Sequence, residues 1–268
     1  MIGGVLAPRL ACDRRPRVDQ THRCLGVGPC VANVELKRHE EYNDDGSAND
    51  LAGHSLVLSF VGLLTLIVGF FGFLGACLIW AGADLGGWTN IYGAPATLSS
   101  FAFNTLMGLA GGMIGAFWYS KGNPFWMMSG GLAGIFICAG GLDIWYPGFA
   151  FVLGIIAGCV IIPANNWLHN TFKIDDCVGA VSIHGVAGVL GVLAVGIFAA
   201  GFPASGDIPP TSFVGQLVGC IVMILTGLLP GYVISYVMKS MGWLRVPDEV
   251  QAAGIDSAEL NLRAYADK

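Results

Sequence analysis

Six long apolar runs separated by short breaks constrain this chain more than any other feature of its sequence. They extend over Ser55 to Trp80, Ser99 to Tyr119, Trp126 to Leu142, Phe149 to Leu168, Val178 to Ala200 and Thr211 to Met238. Runs of roughly 18 to 28 residues rising 1.5 Å each cover a hydrocarbon core of about 30 Å. The third is the shortest, so it must stand upright or begin in the interface. Hydrophobic residues make up 54% of the chain and charged residues 12%, about half the charged share of a soluble domain. A water-soluble fold has no use for that much apolar surface. The fold class predicted is therefore an all-α membrane protein, a bundle of six transmembrane helices over 51–241. A polar segment, 1–50, precedes it and a cytoplasmic tail, 242–268, follows.

The breaks carry turn chemistry: Gly86-Gly87, Lys121-Gly-Asn-Pro124, Tyr146-Pro-Gly148 and the stretch 201–210. Connections this short suit antiparallel neighbours. A lone Pro230 inside the sixth run predicts a kink, which a lipid-embedded bundle tolerates when neighbours satisfy the freed carbonyl.

Charge then gives orientation, because cytoplasmic loops collect Lys and Arg. All 13 basic residues fall on one side: seven before the first run, then Lys121, Lys173, Lys239, Arg245, Arg263 and Lys268. The loops after the first, third and fifth runs hold only Asp84, Asp143 and Asp207. An even number of spans with both termini cytoplasmic satisfies this pattern.

Glycines four apart recur on helical faces, as Gly108 with Gly112, Gly111 with Gly115, Gly130 with Gly134, Gly154 with Gly158, and Gly215 with Gly219. Small residues at that spacing let helix backbones approach closely. They read as packing grooves of a tight bundle.

Several function classes drop out. No basic cluster interleaved with aromatics marks a nucleic-acid surface, and the net charge is -5. The eight cysteines are too scattered for a disulfide framework. Cys12, Cys24, Cys30 and His22 lack zinc-ligand spacing, so no metal or cofactor is expected. The first 50 residues are polar and broken by Pro8, Pro16 and Pro29, which fits neither a signal peptide nor a span. The nearest approach to an intramembrane serine-protease motif is Met127-Met-Ser129-Gly130, which lacks its first glycine. Gly140-Gly-Leu-Asp143 misses the aspartyl-protease pattern, and one Asn123-Pro-Phe125 does not make a water channel. An enzyme is not expected.

Chemistry concentrates in the fifth run, Asp175-Asp-Cys-Val-Gly-Ala-Val-Ser-Ile-His184-Gly-Val-Ala-Gly188. His184 is the one histidine inside these six runs. About two turns from the run's capped start put it at a depth of roughly 10 Å. An ionisable side chain there is costly and marks a substrate or proton pathway. Imidazole suits that duty, since neutral it both donates and accepts, and it relays protons near pH 7. The alternative is a packed histidine bonded to a neighbouring carbonyl. Asp175 and Asp176 stand where an N-cap and first turn belong. Capping is the expected role of at least one, with cation attraction as the other reading. Phe70-Phe71-Gly72-Phe73 offers rings that can gate a pore or face a cation, or that simply pack or face lipid.

Taken in order, these residues resemble the ammonium transporter (Amt) family and, more distantly, Rh proteins. The matching blocks are Ala52-Gly53-His54-Ser55-Leu56-Val57-Leu58, Phe71-Gly-Phe73, and Phe103-Asn104-Thr105-Leu106 with Gly111-Gly112. Next come Ala133-Gly134 to Tyr146-Pro147, the Asp175-Asp176 to His184-Gly185 block, and a tail through Leu244-Arg245-Val246-Pro247 and Gly254-Ile-Asp256 to Tyr265. The resemblance runs from about residue 43 to the end, and residues 1 to about 35 match nothing in that family. It covers the sixth to eleventh spans of an eleven-span fold built from inverted five-helix repeats.

What the resemblance implies is transmembrane passage of ammonium or ammonia. His184 takes the place of the second of two pore histidines and Phe73 that of one stacked phenylalanine. Cys77 stands where a serine near the outer binding site is usual, and Leu74 where asparagine is. The first pore histidine, the second phenylalanine and the outer tryptophan belong to spans without a counterpart here. A homotrimer in the cell membrane and a PII-type signalling protein at the cytoplasmic tail follow from the same resemblance. The alternative function is a non-transporting membrane sensor or scaffold that depends on a partner half.

Overall fold

The computed structural model describes residues 55–80, 90–172, 176, 178–202, 210–244, 247 and 250, with side chains omitted at 77–80. Within them lie α1 (Leu56–Trp80), α2 (Leu98–Ser120), α3 (Pro124–Cys138), α4 (Pro147–Trp167), α5 (Ala187–Phe198) and α6 (Phe213–Ser240). A 3-10 turn, Ala139–Gly141, extends α3, and a π-helical segment, Leu168–Phe172, extends α4. A second π segment, Val181–Val186, leads into α5. With these extensions, six helical stretches among the described residues are long and apolar enough to cross a membrane.

The start signals are local. Thr97 and Ser100 form a reciprocal capping box at α2, with side-chain to backbone bonds of 3.1 and 3.0 Å. Asn123 Oδ1 accepts from the Phe125 and Trp126 amides, and Pro124 occupies the first turn of α3, where a missing N–H costs nothing. Pro147 does the same for α4. Lys121 at φ 55° and Gly122 at φ 89° reverse the chain between α2 and α3 within three residues.

The core is a triple contact of α2 with α3 and α4. Gly112 explains why the backbones approach so closely. A Cβ placed on it overlaps the Gly130 carbonyl and lies 2.8 Å from that carbonyl's carbon and 3.0 Å from the Gly134 nitrogen. Gly158 of α4 meets the same stretch of α2 from the other side, where a Cβ falls 2.6 Å from the Ala116 nitrogen. In lipid such contact replaces the hydrophobic effect as the force joining helices. Buried Phe101, Ile135, Ile161 and Trp145 fill the adjoining space.

Asn104, fully buried on α2, ties down the turn between α3 and α4. Its Nδ2 donates to the Leu142 and Trp145 carbonyls, each at 2.8 Å. The turn at Ile91 adds a bond from its amide to the Ile144 carbonyl.

Three expectations need correction. Among the described residues the pair Gly215 and Gly219 forms no packing groove: a Cβ on Gly219 has nothing within 4 Å, and one on Gly215 meets only Ser212 of its own turn. The fourth span does not stop at Leu168. Its π extension carries it to Phe172 and so brings a second histidine, His169, into a span. The fifth run begins its helix at Ala180 and not at Val178 or the aspartates, for a reason visible at the site.

Candidate functional site

Asp176 builds the start of the fifth span. Its carboxylate accepts from the Ala180 amide at 2.8 Å and the Val181 amide at 2.7 Å, one through each oxygen. Because the cap reaches four and five residues ahead, the backbone between is a turn. Gly179 takes φ +68° there, a left-handed conformation that side chains resist. Its carbonyl accepts from the Ile183 amide and the buried Ser182 hydroxyl. His169 Nε2 lies 3.1 Å from the Asp176 carbonyl, fastening the end of the fourth span to this turn. Asp175 lies outside the described residues.

His184 therefore stands about one helical turn beyond Ala180 and not two. It sits in the π segment Val181–Val186, a helix type that often marks functional positions. Its ring meets the ring of Phe136 from α3 with centroids 4.2 Å apart and planes at 64°. Phe136 in turn meets Phe70 of α1 edge to face, at 5.1 Å and 87°. Three spans are thus linked ring to ring, from Phe70 through Phe136 to His184. Among the described residues no hydrogen-bond partner reaches its ring nitrogens.

The aromatic run on α1 divides. Phe70 reaches Phe136, and Phe71 packs on Phe101 at 6.3 Å. Phe73 is 62% exposed and makes no ring contact among the described residues, so it is not brought beside His184. The Cys77 side chain is outside the described ones. Phe136 is the neighbour that the sequence did not single out. Its only signal was a bulky ring in the midst of Gly-rich α3.

At the opposite end of the bundle Asp143 follows the 3-10 turn, and burial raises its carboxyl above the usual carboxylate range. Tyr146, just after Asp143 in sequence, meets Tyr92 edge to face, with centroids 5.9 Å apart.

Residues 26–265 match the Ammonium Transporter Family. The chain belongs to that family. The match begins at residue 26, ahead of the 43 expected from motifs, because 26–42 carries neither a hydrophobic period nor a distinctive motif by which to be recognised. Ammonium transporter Amt1 of Haloferax mediterranei is 30% identical over 254 residues, covering 91% of this chain and 47% of that protein. Amt1 of Methanocaldococcus jannaschii is 29% identical, covering 90% of this chain and 58% of that protein. Among solved structures, one titled Sensor Amt Protein superposes with a TM-score of 0.72 at 27% identity, over 87% of this chain and 56% of its own. The Rh50 structure of Nitrosomonas europaea shares the fold, with a TM-score of 0.62 at 18% identity, over 93% of this chain and 61% of its own. The chain spans about half the length of the curated Amt relatives it matches.

Proposed function

We propose that this Amt-family chain forms one wall of a pathway that carries ammonium or ammonia across a cell membrane, with His184 as the imidazole the passing species meets. The observation that carries the reading is an ionisable ring set within a membrane-length helix, packed by phenylalanine and joined to no described hydrogen-bond partner. A neutral imidazole so placed keeps one donor and one acceptor for a guest. Ammonia both donates and accepts, so it can satisfy both, whereas a hydrated metal cation finds no anionic ligand set. Among the described residues no group of three His, Cys, Asp or Glu side chains could hold a metal ion.

The remaining assignments rest on resemblance. Phe73 and Cys77 line the outer approach, and a further set of helices supplies the wall facing His184. Both termini are cytoplasmic, the assembly is a homotrimer, and a PII-type signalling protein acts on the tail at 242–268. The test is uptake of labelled methylammonium by cells making this chain, with His184→Ala as the control. Uptake that the substitution leaves untouched contradicts the pathway role.

A further inference from the structure

We infer that Phe136 is the positioning residue for His184, fixing the plane of its imidazole by ring packing in place of the hydrogen bond that usually orients a working histidine. The functional consequence rests on the pathway reading above, but the positioning itself does not.

A histidine that works at a site is normally oriented by a bond from its second nitrogen to a carboxylate or carbonyl. Here the nearest carboxylate along the chain is Asp176, and both of its oxygens are engaged by the Ala180 and Val181 amides. Ser182, two residues before the histidine, spends its hydroxyl proton on the Gly179 carbonyl. Its side chain is fully buried at that bond. Among the described residues, the aromatic ring that meets the imidazole is that of Phe136, with centroids 4.2 Å apart and planes inclined at 64°. Inclined aromatic rings attract through edge and face charges of opposite sign, so the geometry is directional and not merely space-filling.

Phe136 is itself held. Its neighbours Ile135 and Ile137 are buried in the core and fix the backbone of α3. Phe70 from α1 meets its ring nearly perpendicularly at 5.1 Å. The three rings form a relay from α1 through α3 to the fifth span. Keeping both ring nitrogens unbonded while the ring plane is fixed leaves them available to a guest, which a hydrogen-bonded clamp could not do.

The test uses the full chain in lipid nanodiscs with its histidine rings isotopically labelled, and the His184 signal assigned by its loss in His184→Gln. In Phe136→Leu, similar volume remains but the ring is gone. The His184 ring protons should lose their ring-current displacement, and interconversion of ring orientations should broaden them. Phe136→Tyr keeps the ring and should keep the signal near its native position. Phe70→Leu should move the signal in the same direction by less. In methylammonium uptake, Phe136→Leu should lower the rate about tenfold, because loss of a held geometry commonly costs one to two orders of magnitude, with Phe136→Tyr restoring most of it. An unchanged His184 signal in Phe136→Leu, or a Phe136→Tyr signal displaced as far as that of Phe136→Leu, overturns the inference. If the signals respond as expected and the unsubstituted chain, made together with a complementing set of helices, shows no uptake, positioning stands and the transport reading fails.

Discussion

At the residue scale, side chains that hold the bundle differ from His184, which the proposed pathway leaves open to a guest. Asn104 belongs to the first kind. Replacing it with leucine strands two buried carbonyls, and the expected loss is about 1 to 3 kcal/mol, read from reversible unfolding in mixed micelles. A loss within error argues that the Leu142 and Trp145 carbonyls find other donors. Asp143 gives a pH signature. Burial raises its carboxyl in the folded protein, so the folded state holds its proton more tightly than the unfolded one. The stability associated with that proton is present at low pH and is lost as pH rises through the raised value. Asp143→Asn avoids the loss. It should be more stable than the native chain at pH 7.5, with the difference closing below about pH 4, near the ordinary aspartate value. A constant difference across that range assigns the effect to something other than ionisation.

His184 was legible in the sequence because a lone titratable group inside an apolar run is conspicuous. Its surroundings were not, since which phenylalanine meets it depends on helix rotation and on the π register. Neither can be counted off a sequence. The same limit separates Phe70 from Phe73, three residues apart and on different surroundings of α1.

At the element scale the small-residue faces decide how close the helices come. Of five glycine pairs visible in the sequence, the four on α2, α3 and α4 lie where backbones touch, and the pair on α6 does not. Spacing alone cannot tell a groove from a lipid-facing strip, because both show the same period. Substituting Gly112 with valine drives a side chain into the Gly130 carbonyl. The expected outcome is loss of the folded bundle, seen as aggregation on size exclusion in detergent. Gly219→Val, with open space around it, should elute as the native chain does. Equal behaviour of the two variants contradicts the packing assignment. The ends of the fifth span show the other source of error. A carboxylate cap was expected at its start, but Asp176 reaches past Gly179 to amides four and five residues on. This shortens the helix and brings His184 a turn nearer its beginning.

At the scale of the whole molecule, burial is uneven. Half of the membrane window of α3 with its 3-10 extension is buried, 50%, against 11% for α1 and 6% for α6. The count and order of spans were legible because length, hydropathy and basic residues all agree on six. Which spans form the core was less plain: the two most buried, α2 and α3, are also the least apolar of the six, but lipid accepts any exposed face. In the proposed pathway the weakly buried α1 lies at the edge where the wall facing His184 comes in, and a second set of helices completes the lumen. Labelled methylammonium uptake tests this most directly. It should be measured in cells making this chain together with the half of the Methanocaldococcus relative that it does not cover, with and without His184→Ala. The account predicts uptake above that of either part alone, abolished or strongly reduced by the substitution. No uptake by the pair, or uptake indifferent to His184→Ala, contradicts it.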